Sequence, residues 1–215
     1  MSSKFCRAFF ALTLAFASVG TLASTPALPP QMKVTLEEIS AGKAMGSKNA
    51  PLRLEDFADF ECPACRYLFE HTTKLVIEDY VNTGKVYYIH HDFPLNIHQY
   101  SKEAAHWADA AAAIGKFEAV EGALYSQQDT WGASGNIEAA VATVLSPAEL
   151  RKVKALVNTP EVQDAVQRDI TLGNERGVNQ TPSLFVTQNG KLIPLPPGPI
   201  QFSLLKQYLD YLLKQ

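Results

Sequence analysis

Two cysteines three residues apart, at the start of a predicted helix, constrain this chain more than any other feature. Cys62 and Cys65 follow an apolar run that predicts a strand, and Pro63 stands where the first helical residue is expected. Proline is favoured there because the N–H that it lacks would have no helical partner. Since residues three apart share one face of a helix, the two sulfurs are expected to lie close enough for a disulfide.

The two cysteines are expected to differ in exposure and acidity. Apolar residues continue at helical spacing after the motif, so Cys65 is predicted to lie in a buried stripe and Cys62 at a partly open tip. Unpaired N–H groups and the helix dipole favour a thiolate at a helix N-terminus. Cys62 is therefore predicted to be the nucleophile, and Cys65 the residue that resolves the mixed disulfide. The rest of the predicted stripe is Leu68, Phe69, Thr72, Leu75, Val76 and Tyr80.

A structural disulfide and half of a zinc site are the alternative interpretations of the motif. A tetrahedral zinc site would need a second pair of ligands, and the sequence has no other CxxC and no HxxxH. The histidines at 90, 91 and 98 are interpreted as a strand-end and loop group. An inert disulfide that closes so short a loop would add little stability. The motif therefore favours redox chemistry, with neither a metal nor a bound cofactor.

Three segments together resemble the DsbA-like branch of the thioredoxin superfamily. The segments are Phe60–Cys65 (FECPAC), Asp92–Leu95 (DFPL) and Gly177–Val186 (GVNQTPSLFV). The resemblance extends from about residue 46 to the end of the chain, and it implies an α/β, thioredoxin-like fold with an inserted α-helical domain. Thioredoxin itself has a Trp before the first cysteine, where this chain has Glu61.

The resemblance also implies roles for residues outside the cysteine pair. In this superfamily the bond that matches Thr181-Pro182 is cis and lies against the disulfide, so Thr181, Pro182 and Pro63 are expected to contact substrate. An unfolded client would pair with the Thr181 backbone as an added strand. Asp56 lies on the apolar face of the predicted strand, where the family often has a buried acid that helps to move the Cys65 proton. A proline that merely opens a strand and an acid that reaches solvent are the structural alternatives.

The first 23 residues have the pattern of an export signal. Lys4 and Arg7 precede a short apolar run, and small residues at positions 21 and 23 suit cleavage. The run is short for a membrane span, although an uncleaved anchor is the alternative. Export predicts a periplasmic, oxidising location. Cleavage would remove two of the 19 basic residues, none of the 22 acidic residues and one of the three cysteines.

The remaining chain is predicted to divide into four parts. A lead at 24–45, with a short strand within 32–39, precedes thioredoxin-like segments at 46–98 and 178–215, and the helical insert is 99–177. In the insert, Ser101 is predicted to cap the first helix. Ser146-Pro147-Ala148-Glu149 is a capping box with proline at the first helical position. A hairpin through 188–190 and a final amphipathic helix complete the pattern.

The sequence therefore predicts an exported thiol oxidase that donates its disulfide to reduced or misfolded exported proteins. By family analogy, a quinone-linked membrane protein restores the disulfide. The alternatives are a reductase or isomerase on the same scaffold, or a non-enzymatic binding module. Isomerases of this kind usually carry an N-terminal dimerisation domain, and the 27 residues between Ala23 and Pro51 are too few for one. The net charge of −3 does not indicate nucleic-acid binding, and a monomer is expected.

Overall fold

A mixed five-stranded sheet forms the centre of the computed structural model, which describes residues 33–215. The strands, in the order β1-β3-β2-β4-β5 across the sheet, are β1 (Ala44–Met45), β2 (Leu52–Ala58), β3 (Val86–Asp92), β4 (Ser183–Gln188) and β5 (Lys191–Pro194). β2 and β3 are parallel, with Asp56 opposite His90, and β4 is antiparallel to β2. The predicted export signal and the start of the lead lie outside the described residues.

The helix α2 connects β2 to β3 and begins at the cysteine motif. It is α-helical at Pro63–Leu68 and Lys74–Val76, and π-helical at Phe69–Thr73 and Ile77–Val81. A π turn holds more residues than an α turn, so it rotates the side chains that follow around the axis. Leu75 is 38% exposed, and its place in the predicted buried stripe is wrong for this reason.

The N-terminal lead contains a helix where a strand was expected. The helix α1 (Leu36–Gly42) occupies most of that segment, and β1 then adds to the edge of the sheet. Thr35 and Glu38 form a capping box, in which each side chain accepts a hydrogen bond from the backbone N–H of the other residue. The prediction of a strand within 32–39 is therefore wrong, and the Thr-x-x-Glu pattern is the local signal from which a helix could have been predicted.

Six helices lie between β3 and β4 and form the predicted helical insert. They are α3 (Ser101–Ala112), α4 (Phe117–Ser126), α5 (Gln128–Ser134), α6 (Ile137–Ala142), α7 (Pro147–Leu156) and α8 (Pro160–Glu175), and α9 (Phe202–Leu212) follows β5. The capping box at Ser146 is confirmed. The predicted cap at Ser101 is wrong: Tyr100 is the N-cap residue of α3, and the Ser101 hydroxyl donates to Asp59.

The two faces of the sheet are covered by different apolar clusters. One cluster combines Cys62, Cys65 and Phe60 with the insert, including Trp107 and Trp131. The other packs β2, β3 and β4 against α2 and α9. Within residues 33–215, no helix is both long and apolar enough to cross a bilayer. The fold is thus the predicted thioredoxin-like α/β fold with a helical insert, and the insert covers the cysteine motif.

Candidate active site

The cysteine motif lies where β2 ends and α2 begins. Cys62 is the N-cap residue of α2, and the exposed Pro63 is its first helical residue, as predicted. The backbone N–H of Cys62 donates to the Asp59 carbonyl at 3.1 Å. In the described part of the chain, Cys62 and Cys65 are free thiols, so the structure corresponds to the reduced protein.

The environment of Cys62 favours its thiolate. A hydrogen bond from the Cys65 thiol is the largest of the causes that lower the pKa of Cys62 to about 5. Burial opposes this shift, whereas the Thr181 side chain and the backbone N–H groups of Cys65 and Ala64 reinforce it. At neutral pH Cys62 is therefore almost entirely ionised, as a nucleophilic cysteine needs to be.

Cys62 is more covered than the sequence predicts. The residue is only 7% exposed, so the expectation of a partly open tip is wrong. The Thr181 carbonyl oxygen lies 3.5 Å from the Cys62 sulfur, and the Gln128 amide donates to the carbonyls of Phe60 and Cys62 at 2.7 and 3.0 Å. These contacts join segments at least 66 residues apart, so local sequence patterns carry no signal for them.

The environment of Cys65 favours its protonated thiol, in contrast to that of Cys62. It is 2% exposed, and the Asp59 backbone N–H donates to its sulfur at 3.4 Å. Burial raises the pKa of Cys65 well above its ordinary value, and the adjacent Cys62 sulfur and the Asp56 carboxylate raise it further. Cys65 is therefore a thiol at neutral pH, and it must lose a proton before it can attack a mixed disulfide.

Asp56 is a buried acid whose charge affects Cys65. It is 4% exposed, and its Oδ2 accepts a hydrogen bond from the Tyr88 hydroxyl at 3.3 Å. Among residues 33–215, Oδ1 has no hydrogen-bond partner. Burial raises the pKa of Asp56 to about 7, although His90 opposes this shift. Such an acid can exchange a proton near neutral pH, so Asp56 is suited to accept the proton of Cys65.

We expect Asp56→Asn to slow the Cys65-dependent release of a client from a preformed mixed disulfide. The loss should be about a hundred-fold at pH 8, the order of magnitude that a positioned base contributes. In the wild type the release rate should rise through the Asp56 pKa of about 7, because only the carboxylate accepts a proton. Rapid-quench measurements from pH 5 to 9 would show this inflection in the wild type and its loss in the variant.

Glu55→Gln is the matched control, because Glu55 is the neighbouring buried acid on the opposite face of β2, at 3% exposure. It should leave the inflection in place.

Stability gives a second check. The raised pKa of Asp56 means that the folded state loses stability as pH rises from about 4 to 7. Asp56→Asn should therefore raise the free energy of unfolding by up to about 4 kcal/mol at pH 7, and by little at pH 4. An inflection that persists in Asp56→Asn would contradict the role of this residue.

The segment Thr181-Pro182 lies against the cysteine motif at the start of β4. The peptide bond between the two residues is cis, as the family resemblance implies. Thr181 is 7% exposed, and within residues 33–215 its hydroxyl has no hydrogen-bond partner, which leaves it available to a Cys62 thiolate. The Pro182 carbonyl accepts a hydrogen bond from the Gly198 backbone N–H at 2.9 Å. The structure thus brings Cys62, Cys65 and Thr181-Pro182 together.

A buried ion cluster behind the motif was missed by the sequence analysis. Lys43 is 2% exposed, and its Nζ lies within 2.9 Å of carboxylate oxygens of Asp92, Asp109 and Asp169. Burial alone would lower the pKa of Lys43, but the three acids raise it well above its ordinary value. Burial and the charge of Asp92 raise the pKa of Asp109 well above its ordinary value, which favours the neutral form of this acid in the cluster.

Two histidines extend this cluster through the sheet. His90 lies 3.2 Å from Glu121 and 3.5 Å from Asp92, and these acids outweigh its burial and raise its pKa to about 10. His91 lies 2.9 Å from Asp169 and 3.2 Å from Glu55. The sequence analysis interpreted these histidines as a strand-end and loop group, and it missed their acidic partners because those are scattered along the chain. The imidazolium of His90, which pairs with Asp56 across β2 and β3, places a positive charge behind that acid.

Comparisons with known proteins agree with this geometry. The sequence profile of the family described as thioredoxin matches residues 39–210. A protein of Bacillus anthracis described as "Probable disulfide bond formation protein D" is 26% identical over 185 residues, which are 82% of this chain and 80% of that protein. Solved structures of alpha-DsbA1 from Wolbachia pipientis and oxidised BdbD from Bacillus subtilis both have a TM-score of 0.66. The Wolbachia pipientis structure is 21% identical, and the match covers 80% of this chain and 90% of that one. The Bacillus subtilis structure is 18% identical, and the match covers 81% of this chain and 95% of that one.

The profile match spans most of the chain, so the chain belongs to the thioredoxin family. Within that family, its CxxC motif, its helical insert and its relatives make it a DsbA-like disulfide oxidoreductase.

Proposed function

We propose that this protein is an exported thiol oxidase, which donates the Cys62–Cys65 disulfide to reduced or misfolded exported polypeptides. The observation that carries this proposal is the position of Cys62 at the N-cap of α2, beside the Cys65 thiol and the cis Thr181-Pro182 segment, which lowers its pKa to about 5. Ionisation at neutral pH stabilises only the reduced protein, because a disulfide has no proton to lose. A dithiol whose reduced form is stabilised is an oxidant towards other thiols.

The transfer has two steps that conserve atoms and electrons. A client thiolate attacks the Cys62 sulfur of the disulfide, the Cys62–Cys65 bond breaks, and Cys65 takes up a proton. A second client thiolate then attacks the client sulfur of the mixed disulfide, forms the client disulfide and releases Cys62 as a thiolate. Two electrons pass to the protein, so an oxidant must restore its disulfide. We assign that step to a quinone-linked membrane protein, by analogy with the family.

The reduction potential tests the direction of this chemistry. The Cys62 pKa of about 5 lies about two units below that of the thioredoxin nucleophile. At pH 7 this difference stabilises the reduced form by the free energy of slightly less than two pKa units. The reduction potential should therefore be about 50 mV higher than that of thioredoxin. We therefore expect a potential of about −220 mV against a glutathione buffer, compared with about −270 mV for thioredoxin. A value at or below that of thioredoxin would favour the reductase alternative.

Export is the part of the proposal that depends on the first 23 residues, which lie outside the described residues. The basic n-region, the short apolar run and the small residues at 21 and 23 support it. An oxidising compartment would also supply clients with newly exposed thiols and would allow the disulfide to persist.

A further inference from the structure

A cavity of about 440 Å³ lies between the loop that follows β3 and the helices α3 and α8. Its volume is within the range of ligand-binding pockets. Neither the redox steps described above nor the predicted substrate contacts at Pro63 and Thr181-Pro182 involve its lining. The cavity is therefore unassigned, although the loop that forms one wall contacts the cysteine motif.

The polar lining of this cavity is positive or neutral. It consists of one lysine, one histidine and three amide side chains: Lys102, His98, Asn96, Gln167 and Asn174. Within residues 33–215 no lining residue is acidic, although the chain as a whole has a net charge of −3. In the described chain Lys102 also forms no salt bridge, so its charge is available to a ligand. This lining fits a carboxylate.

The apolar wall of the cavity is fixed by a close contact between the loop and α8. A Cβ atom on Gly173 would lie 2.6 Å from the ring of Phe93, so only glycine allows this approach. Phe93 also packs edge-on against Phe57, with ring centroids 6.4 Å apart. Leu95 and Ile170 line the cavity beside this contact. The cavity is therefore formed before any ligand binds.

Hydrogen bonds through Asp59 connect the cavity wall to the cysteine motif. The Asp59 carboxylate accepts from the Leu95 backbone N–H at 2.8 Å and contacts His98 Nδ1 at 2.7 Å, and both residues line the cavity. The backbone N–H of Asp59 donates to the Cys65 sulfur at 3.4 Å. The Asp59 carbonyl also accepts a hydrogen bond from the Cys62 backbone N–H at 3.1 Å, so the cavity wall and both cysteines share one partner residue.

An exposed isoleucine lies in the loop that forms one wall of the cavity. Ile97 is 83% exposed, the most exposed large apolar side chain in residues 33–215, and its neighbours Asn96 and His98 both line the cavity. An apolar side chain presented beside a polar pocket is typical of a surface that binds a polypeptide.

We propose that this cavity is a subsite for client polypeptides that carry an Asp or Glu beside an apolar residue, near the reacting cysteine. The client carboxylate pairs with Lys102, and the apolar neighbour packs on Ile97. This inference rests on the proposed function, because it assumes that the client is a polypeptide thiol. A free inorganic anion would share the carboxylate's charge but would gain nothing from Ile97.

The test compares synthetic dithiol peptides that differ only by Glu or Gln at one position, placed two to six residues from the first cysteine. The oxidised wild-type protein should prefer the best-placed Glu peptide by about three-fold in kcat/KM at low salt, the order expected of a solvent-exposed ion pair. Lys102→Gln should bring this ratio near one, and Lys102→Glu should invert it. Ile97→Ser should raise KM for both peptides equally.

Two exposed side chains elsewhere on the surface provide matched controls. Lys191→Glu makes the same change in net charge at the start of β5, and Leu204→Ser removes a 55% exposed leucine from α9. Both should leave the Glu-to-Gln ratio and KM close to wild type. A ratio that Lys102→Glu does not change, or that Lys191→Glu changes equally, would overturn the proposal.

A binding measurement separates this subsite from the proposed redox function. A cysteine-free Glu peptide, titrated into the ¹⁵N-labelled reduced protein, should shift the amide signals of Leu95, His98 and Asn174 and saturate at lower concentration than the Gln peptide. Sodium phosphate at matched ionic strength should not reproduce these shifts. Shifts confined to other surfaces, or equal shifts with phosphate, would refute the subsite even if oxidation is observed. Localised shifts without oxidation would support the subsite and refute the oxidase proposal.

Discussion

Cys62→Ser is expected to abolish disulfide transfer, with a loss of at least about a thousand-fold in the oxidation of a reduced client. The reaction passes through a covalent bond to this sulfur, and removal of an essential nucleophile has an effect of this size or larger. Cys65→Ser should also stop turnover, because it cannot form the internal disulfide. Once oxidised glutathione has converted Cys62 to a mixed disulfide, a client with a single cysteine should displace the glutathione and stay bound at Cys62, because neither Cys65 nor a second client thiol is there to release it. Non-reducing gels and mass spectrometry of trapped adducts measure both results.

The two serine variants control for one another, since each removes one buried sulfur from the same cluster. Both should fold, and neither can form the internal disulfide. Alkylation of the wild-type reduced protein at pH 6 should also modify Cys62 first, because Cys62 is largely ionised there whereas Cys65 is buried and protonated. Mixed disulfides that form at Cys65 in Cys62→Ser, or equal alkylation of the two thiols, would contradict the assignment.

The cysteine motif illustrates what the sequence could predict. Pro63 at the first helical position, the spacing of Cys62 and Cys65, and the apolar face of β2 are local patterns, and the structure has all three. The strands and the helical insert followed from the same kind of signal. The strand predicted within 32–39 is wrong because Thr35 and Glu38 form a capping box that starts a helix there.

The surroundings of the motif were not predictable in the same way. The cover over Cys62 comes from Gln128 and Thr181, which lie 66 and 119 residues away in the chain. The cluster around Lys43 draws acids from β3, α3 and α8, and each of those acids alone has the pattern of an exposed helical or strand-end residue. Pairing over such distances depends on the packing of the whole fold, and no local period encodes it.

The buried ion cluster has a cost that its position helps to explain. Several charges are removed from water, and such clusters often stabilise a protein less than apolar residues of similar volume would. Here the charge of His90 lies opposite Asp56 in the sheet and lowers its pKa, against the larger effect of burial. Without that charge, Asp56 would ionise only at higher pH and would accept a proton poorly at neutral pH. The cluster thus keeps the pKa of this acid near neutrality.

The reduced and oxidised proteins are expected to exchange their order of stability as pH changes. The oxidised form gains about 2 kcal/mol from closing a four-residue loop in the unfolded chain, at any pH. The reduced form gains from the Cys62 thiolate, whose pKa is about 5 when folded and about 8.5 when unfolded. Since the folded pKa is the lower one, this gain is absent below about pH 5, grows as pH rises, and is complete above about pH 8.5. At pH 7 it reaches at most about 2.7 kcal/mol, before solvent screening reduces it.

Paired urea unfolding curves of the two redox forms, measured from pH 5 to 8, would test this exchange. At pH 5 the oxidised form should unfold at the higher urea concentration, and at pH 8 the reduced form should. With the full thiolate contribution the two stabilities are equal near about pH 6.4, and screening moves this crossing towards higher pH. Asp56 titrates in both forms, so its effect is reduced in the difference between them. In Cys62→Ser, compared with Cys65→Ser, the thiolate-dependent rise of stability with pH should be absent. If the oxidised form remains the more stable by a constant amount up to pH 8, Cys62 is not a stabilised thiolate. That result would favour the reductase alternative.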